Sequence, residues 1–217
     1  MPTLPCELLV LVRHGESARN AARRGNVFFP DEASRTAFMG QPDPATPLTD
    51  EGIVQARELG VRLREAYGSF DIAFDSGYRR TKDTLTVALE AWPDAERLRI
   101  ERRSHFLLRE RDTGYAVNMT TAEASAAFPW LQDYWCAEGP FVARPPGGES
   151  LAEVAARVQQ FLELHRDALA GRRVLLVTHA GTLRMFRFLL EGWSHEEVER
   201  RLRDDPMDNC LVMAYGR

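Results

Sequence analysis

The sequence has 217 residues, of which 44% are hydrophobic and 28% are charged, a composition typical of soluble globular proteins. This length suffices to bury a substantial core, and we expect one domain over residues 1–217. The formal net charge of −4 argues against general nucleic-acid binding, because a polyanion would meet no overall basic field. We find no apolar run of membrane-spanning length, no secretory signal pattern and no metal-type cysteine spacing. We therefore expect a cytoplasmic protein that binds neither nucleic acid nor membranes, with its oligomeric state left open.

Short apolar runs alternate with segments of helical periodicity along the chain. The first run, Leu8–Val12, is uninterrupted and predicts a buried strand. Residues 21–47 are rich in Arg, Gly, Pro, Asp and Ala and show no clear period, so we expect a long loop there. Thr49 is a candidate N-cap followed by two acidic residues, and it predicts an amphipathic helix over residues 50–66.

The remaining elements follow the same two patterns. Further strands are predicted at residues 72–74, within 97–108, at 174–177 and at 211–215. Further helices are predicted at residues 78–91, 122–128, 150–170, 183–191 and 195–203. Helices that interleave with strands in this way predict an α/β fold, namely a three-layer α/β/α sandwich with a mostly parallel central sheet.

Both all-apolar strands are followed by a histidine with a glycine close behind it. Arg13, His14 and Gly15 follow the first strand, and His179 with Gly181 follows the strand at 174–177. Neighbouring parallel strands would bring the two imidazoles to the same edge of the sheet, and open α/β sheets bind ligands at the carboxyl ends of their strands. Arginine and imidazole groups there suit an anion, with an imidazole as candidate nucleophile or base. A structural role is the alternative for either histidine taken alone.

A third segment is consistent with anion binding. Ser76–Thr84 follows the second strand and opens a helix, so an arginine in its first turn can direct its guanidinium at an anion near the helix N-terminus. For Arg79 and Arg80, solvated surface charge is the alternative interpretation.

Six blocks of sequence together resemble the histidine phosphatase superfamily, also called the phosphoglycerate mutase-like family. They are Arg13-His14-Gly15-Glu16-Ser17 with Asn20, Pro47-Leu48-Thr49-Asp50-Glu51-Gly52 with Gln55-Ala56, Ser76-x-x-x-Arg80 with Thr84, Leu108-x-Glu110-Arg111-x-x-Gly114, Pro146-Gly147-Gly148-Glu149-Ser150 and Val177-Thr178-His179-Ala180-Gly181. Each block alone is weak, but six in the family's order, spanning most of the chain, are highly specific. The resemblance implies a phosphoglycerate mutase-like fold.

The resemblance also implies a role for each matching residue. His14 would be the nucleophile that becomes phosphorylated on a ring nitrogen, and Arg13, Arg80 and His179 would surround the phosphoryl oxygens. Glu110 would act as general acid for the leaving group and then as the base that activates water. An ordinary salt-bridged surface carboxylate is the alternative for Glu110 considered by itself.

Two further residues belong to the expected substrate-binding set. Asn20 would donate to the phosphoryl oxygens, and Ser17 would chiefly order the loop after the nucleophile. Fixed cationic donors stabilise the charge that spreads over a phosphoryl group in transfer, so the chemistry needs no metal. We therefore expect no metal, no cofactor and a small-molecule phosphate ester as the binding partner.

The superfamily contains both phosphatases and mutases. The segment between Glu110 and Gly148 is shorter than the insertion usual in cofactor-dependent phosphoglycerate mutases, and this resembles the phosphatase branch. We therefore expect a phosphomonoesterase that hydrolyses a small phosphorylated metabolite, with loop 21–47 and segment 115–145 as its substrate cap. A phosphoglycerate mutase-type phosphoryl transferase and a non-catalytic phosphate-binding regulatory module are the alternatives.

Three arginines in the loop at 21–47 suggest a multiply charged substrate. Arg23, Arg24 and Arg35 would contact a second anionic group on the substrate. A solvated loop is the alternative interpretation of these residues.

Overall fold

The computed structural model describes residues 4–216, and a five-stranded sheet lies at its centre. The strands are β1 (Leu8–Arg13), β2 (Ile72–Asp75), β3 (Glu101–Ser104), β4 (Arg173–Thr178) and β5 (Val212–Gly216). Their order across the sheet is β3-β2-β4-β1-β5. The pairs among β1 to β4 are parallel, whereas β5 runs antiparallel to β1 at the edge. The prediction of a mostly parallel sheet is confirmed.

Helices connect and cover these strands. Within residues 4–216 they are α1 (Ala18–Arg23), α2 (Glu32–Thr36), α3 (Asp50–Tyr67), α4 (Arg79–Leu89), α5 (Asp94–Arg97), α6 (Thr121–Ala127), α7 (Leu131–Glu138), α8 (Leu151–Leu164), α9 (Arg166–Leu169), α10 (Ala180–Glu191) and α11 (His195–Asp204). Short 3-10 helices occupy Asp43–Ala45, Phe106–Leu108 and Gly114–Asn118. None of the helices in this part of the chain is both long and apolar enough to cross a membrane.

The sheet is covered on both faces, which explains why its central strands are apolar throughout. Successive side chains of a strand point to opposite faces. Accordingly, Leu9 and Leu11 of β1 belong to one core cluster, with side chains of α8 and α10. Val10 and Val12 belong to the other, with side chains of α3 and α4. The expected three-layer α/β/α architecture is therefore the observed one.

The prediction of a loop over residues 21–47 is wrong in part, because short helices lie within it. The last turn of α1, all of α2 and the 3-10 helix Asp43–Ala45 fall in this range. α2 is only five residues long, and its N-cap Asp31 accepts a hydrogen bond from the backbone N–H of Ser34 at 2.8 Å. Helices of this length are too short to show a hydrophobic period, which is why the pattern indicated a loop.

Two helices in the second half also differ from prediction. α7 was not predicted, because among its residues only Leu131 is buried and no apolar stripe marks it. The helix predicted at 150–170 is interrupted at His165, which separates α8 from α9. The His165 ring packs on Phe161, with 4.7 Å between ring centroids. The strand predicted within 97–108 is the four-residue β3.

Candidate active site

The two histidines that follow β1 and β4 lie side by side. β1 and β4 pair in parallel so that Arg13 is opposite Thr178, and the next backbone N–H, that of His14, donates to the Thr178 carbonyl at 3.0 Å. The rings of His14 and His179 meet edge to face with centroids 5.1 Å apart. Both side chains are buried, His14 being 2% exposed and His179 0%. Strand register thus brings both imidazoles to one edge of the sheet.

His14 is held in one tautomer by its neighbours. Its Nδ1 lies 2.7 Å from the Gly15 carbonyl oxygen, which only accepts, so Nδ1 carries the proton. Its Nε2 accepts a hydrogen bond from Nε of Arg80 at 3.2 Å. Burial, followed by the charges of Arg80 and Arg13, holds the pKa of His14 well below its usual value. His14 is therefore a neutral imidazole with a lone pair on Nε2.

Of the two arginines that open α4, only Arg80 enters the site. Arg80 is only 4% exposed. In contrast, the Arg79 side chain is 61% exposed and pairs with Asp83. Thr84, one turn after Arg80, accepts from the backbone N–H of Gly15 at 3.0 Å and donates to the Arg80 carbonyl. The start of α4 is thus fixed directly to the loop that carries His14.

The same loop packs backbone to backbone against the start of α3. A Cβ atom added to Gly52 would lie 2.0 Å from the Glu16 carbonyl oxygen, and one added to Gly15 would lie 2.5 Å from the Gly52 oxygen. Only glycine allows this approach. Thr49 supports the contact, since its hydroxyl donates to the Glu16 carboxylate at 2.7 Å. These contacts give a physical reason for the glycines in the first two sequence blocks.

Arg13, Ser17 and Asn20 line the same cavity as His14. Ser17 is the N-cap of α1 and forms a capping box with Asn20, whose Oδ1 accepts from the Ser17 backbone N–H at 3.2 Å. Ser17 therefore orders the loop, as expected from its position. Arg13 donates through Nη1 to the Met207 carbonyl, and its buried Nε has no hydrogen-bond partner among residues 4–216. Burial lowers the pKa of Arg13, and a free donor remains at the site.

Glu110 follows the 3-10 helix Phe106–Leu108 and lies against the start of α10. Its Oε1 accepts from the backbone N–H of Gly181 at 3.1 Å and from that of Arg111 at 2.8 Å. A carboxylate at a helix N-terminus is favourably placed with respect to the helix dipole. Thr178 supports the segment, because its hydroxyl donates to the Leu108 carbonyl at 2.6 Å.

The arginines beside Glu110 are engaged elsewhere. Arg109 Nη2 donates to Glu149 Oε1 at 2.9 Å, and Arg111 Nε donates to the Glu149 carbonyl at 2.7 Å. Arg157 pairs with the same Glu149 carboxylate at 3.1 Å. Burial opposes ionisation of Glu149, but Arg157 and the other donors bring its pKa below the usual value. The block around Glu149 is thus an ion-pair network that positions the Glu110 segment.

His179 is oriented by two hydroxyl groups. Its Nε2 lies 2.7 Å from Ser76 Oγ, which lies 2.9 Å from Thr81 Oγ1. Its buried Nδ1 has no hydrogen-bond partner in the part of the chain that the structure describes. Burial, together with the charge of Arg80, holds the pKa of His179 well below its usual value. The Nε2 atom of His179 is therefore fixed by Ser76, and its Nδ1 is enclosed by the protein.

Sequence patterns do not single out Asp43, which bonds to the central arginine. Its carboxylate accepts from Arg80 Nη1 at 3.2 Å and from Nη2 at 3.0 Å, and it lies 3.0 Å from Nε of Arg19. Asp43 stands between two prolines in the loop at 21–47, and nothing in its local sequence connects it with α4. Only the three-dimensional arrangement reveals that an internal carboxylate engages Arg80.

A cavity of about 350 Å³ opens at these residues. The sequence-predicted residues on its wall are Arg13, His14, Ser17, Asn20, Arg80 and Glu110. His179 is fully buried against the His14 ring and is not among the residues on the cavity wall. Segments 41–44 and 110–113 also border the cavity, as do Val117 and Asn118. Most of segment 115–145 lies away from it.

The other histidines lie outside this cavity. His105 packs against His165, with ring centroids 4.9 Å apart, and His195 stacks on Phe141 at 4.7 Å. Among residues 4–216, no group of three or more His, Cys, Asp or Glu side chains is arranged to hold a metal ion.

Comparison with known proteins identifies the relatives of this chain. The sequence model of the histidine phosphatase superfamily (branch 1) matches residues 9–214. A 2,3-bisphosphoglycerate-dependent phosphoglycerate mutase from Methylobacterium radiotolerans is 36% identical over 194 residues, covering 88% of this chain and 82% of the relative. An enzyme of the same name from Rhizobium etli is 36% identical over 184 residues, covering 82% and 78%.

Solved structures share the fold at lower identity. A putative alpha-ribazole-5'-P phosphatase from Escherichia coli superposes with a TM-score of 0.68 at 23% identity, covering 89% of this chain and 83% of that one. A mycobacterial glucosyl-3-phosphoglycerate phosphatase superposes with a TM-score of 0.70 at 22% identity, covering 96% and 89%.

Proposed function

The chain belongs to the histidine phosphatase superfamily, and we propose that it is a phosphomonoesterase that hydrolyses a small phosphorylated metabolite through a phosphohistidine on His14. Membership makes it an enzyme of either the mutase or the phosphatase type. The state of His14 is the observation that carries the proposal. Its proton is committed to Nδ1, and its Nε2 lone pair faces the guanidinium that would hold a phosphoryl group.

The first half-reaction forms the phosphohistidine. The Nε2 lone pair of His14 attacks phosphorus, and the bond from phosphorus to the ester oxygen breaks. Glu110 acts as the general acid and gives a proton to the leaving oxygen, so the alcohol departs neutral. In the second half-reaction, Glu110 takes a proton from water, the water oxygen attacks phosphorus, and the P–N bond breaks. Inorganic phosphate leaves, and His14 regains its lone pair.

Fixed positive charge lowers the barrier to both steps. Arg13 and Arg80 supply guanidinium donors, and Asn20 supplies a neutral one, around three phosphoryl oxygens that share the developing charge, while His179 packs against the His14 ring. Arg80 donates through both terminal nitrogens to Asp43. A phosphoryl group that takes these two donors would compete with Asp43 for Arg80.

The size of the cavity is compatible with hydrolysis. Its volume of about 350 Å³ leaves space for water beside a phosphoryl group, because a cavity needs only about 10–15 Å³ to hold one water molecule. Water therefore has room beside the phosphohistidine. The phosphatase names of the structural neighbours support the same choice. We further propose that residues 41–44 and 113–118 form the part of the cap that borders the substrate.

A phosphoglycerate mutase is the second candidate, because curated relatives at 36% identity carry that name. The two activities differ in the fate of the phosphoryl group, which passes to water in one and returns to phosphoglycerate in the other.

Product analysis with a panel of phosphomonoesters separates these activities. The proposal predicts inorganic phosphate as the product, with no dependence on a bisphosphorylated activator. Interconversion of phosphoglycerate isomers that is stimulated by the bisphosphorylated form, with little free phosphate, would show the mutase instead. Tight phosphate binding without turnover of any ester would indicate a non-catalytic module.

A further inference from the structure

We propose that Arg23, assisted by Arg19, forms a second anion subsite in the cavity, so that the physiological phosphate ester carries another anionic group. This inference rests on the proposed function, because it specifies the substrate class of the same site. The second group is a carboxylate or a phosphate, since either presents oxygens that accept from a guanidinium.

Arg19 and Arg23 lie four residues apart on α1, so their side chains occupy the same face of the helix. Both border the cavity that contains His14. Nη1 of Arg19 donates a hydrogen bond to the Asn118 side chain at 2.7 Å, and Nη2 of Arg23 donates to the Val117 carbonyl at 2.7 Å. Buried Nη2 of Arg19 and buried Nε of Arg23 have no hydrogen-bond partner among residues 4–216. Each guanidinium therefore retains a donor that nothing in this part of the chain uses.

The carboxylates near Arg23 do not neutralise it. Asp43 pairs with Arg19 and Arg80, and Glu110 is bound by backbone N–H groups. Within residues 4–216, no carboxylate lies within salt-bridge distance of Arg23. Burial and the neighbouring charge of Arg19 lower the pKa of Arg23 to about 10. A ligand anion would offset the cost of this partly buried, unpaired charge.

Arg23 borders a second cavity as well as the one that contains His14. A second cavity, of about 610 Å³, adjoins the first and shares Arg13, Asn20 and Arg23 with it. Arg23 therefore stands where the two cavities meet, and a substrate anchored at His14 can extend toward it. Arg24 borders only the larger cavity, and Arg35 pairs with Glu123 and borders neither. Of the three loop arginines suggested by the sequence, the structure selects Arg23.

A purely structural role is the competing account. Arg23 connects α1 to Val117 and lies over the Phe29 ring, with 5.2 Å between its guanidinium carbon and the ring centroid. In that account, removing Arg23 would impair every substrate alike. In ours, the loss depends on the second charge of the substrate.

Matched ester pairs make this difference measurable. We would compare kcat/KM for 3-phosphoglycerate with that for glycerol 1-phosphate, which has a hydroxymethyl group in place of the carboxylate. Fructose 1,6-bisphosphate and fructose 6-phosphate form the corresponding pair for a second phosphate. Each pair is measured with wild type, Arg23→Gln, Arg23→Lys and Arg57→Gln, the last removing an exposed charge on α3 that borders neither cavity.

We expect Arg23→Gln to lower kcat/KM about 10- to 100-fold for the doubly anionic ester of at least one pair, the scale of a lost charge-assisted hydrogen bond. Its singly anionic partner should change less than about threefold, Arg23→Lys should restore part of the loss, and Arg57→Gln should change neither. The affected pair identifies the second group as carboxylate or phosphate. Equal losses within both pairs would overturn the subsite.

Binding of unreactive analogues keeps this test independent of turnover. By calorimetry, 3-phosphonopropionate should bind wild type more tightly than propylphosphonate, and Arg23→Gln should abolish that preference. If no ester is turned over but the preference exists, the subsite stands and the proposed hydrolysis fails. If esters are hydrolysed but neither the esters nor the phosphonates depend on Arg23, the subsite fails alone.

Discussion

The edge of the sheet and the segments that cover it are built in different ways. At the edge, the register of β1 with β4 places His14 beside His179. Over the site, α1 is connected to segment 114–118 by single side-chain contacts, such as that of Arg23 with the Val117 carbonyl. A slip of one residue in strand register would turn every side chain of the strand to the opposite face, whereas one substitution removes a side-chain contact. We infer that the edge carries the chemistry and the cover carries the selectivity.

The largest effect should come from the nucleophile at the edge. Replacing His14 by Asn removes the lone pair that attacks phosphorus, and we expect phosphate release to fall by about 10⁴-fold or more. The measurement is kcat for the best ester in the panel. His195→Asn, on the exposed start of α11, should retain full activity. Substantial activity in His14→Asn would place the chemistry elsewhere.

The loss of rate on replacing Glu110 should depend on the leaving group of the ester. Glu110→Gln cannot give a proton, so we expect alkyl phosphates to slow by about 10²- to 10⁴-fold. An activated aryl phosphate such as p-nitrophenyl phosphate leaves without that proton and should slow much less. The readout is the ratio of the two rate losses, with Glu58→Gln, exposed on α3, as the control. Equal slowing of both esters would contradict the role of acid.

The buried imidazoles should also make stability depend on pH. The pKa values of His14 and His179 are depressed in the folded state, so below the ordinary value near 6.5 the unfolded chain binds more protons. Stability is therefore retained above that pH and lost as pH falls. Between pH 7.5 and 5.5, each histidine should cost about 1.4 kcal/mol of unfolding free energy.

Urea denaturation at the two pH values tests this expectation. Wild type should lose about 1.4 kcal/mol more than His14→Asn over this interval, because the variant lacks one of the two titrations. His195→Asn should behave like wild type. An identical loss in His14→Asn and wild type would mean that His14 is not held neutral by burial.

A smaller effect is expected from Asp43, which belongs to the covering loop. Its carboxylate competes with phosphate for Arg80, so Asp43→Asn should lower the inhibition constant of inorganic phosphate by about 3- to 10-fold. Competitive inhibition of ester hydrolysis measures this constant, and Asp133→Asn, exposed on α7, is the matched control. Weaker phosphate binding in Asp43→Asn would mean that Asp43 chiefly orients Arg80.

Sequence patterns alone predict those parts of the site that the order of strands and helices determines. His14 and His179 were predicted to meet because each follows an apolar strand, and pattern suffices to identify such strands. The placement of Arg80 follows from its position in the first turn of a helix. These predictions depend on periodicity and on the rules of parallel sheets, which act through the backbone.

Contacts between distant side chains could not be predicted in this way. The pairing of Asp43 with Arg80 spans 37 residues, and the unused Nε of Arg23 depends on how α1 meets segment 114–118. Neither leaves a periodic signal. α2 and α7 were missed for a related reason, since short helices with few buried residues show no apolar stripe.

The central claim is that a phosphoryl group passes through Nε2 of His14. Wild type would be mixed with a ³²P-labelled phosphomonoester, quenched in alkali and digested, and the labelled peptide sequenced by mass spectrometry. The account predicts an acid-labile, alkali-stable phosphohistidine on His14, with the phosphoryl group on Nε2, and its absence from His14→Asn. Turnover of the ester without label on His14, or with label on another residue, would contradict it.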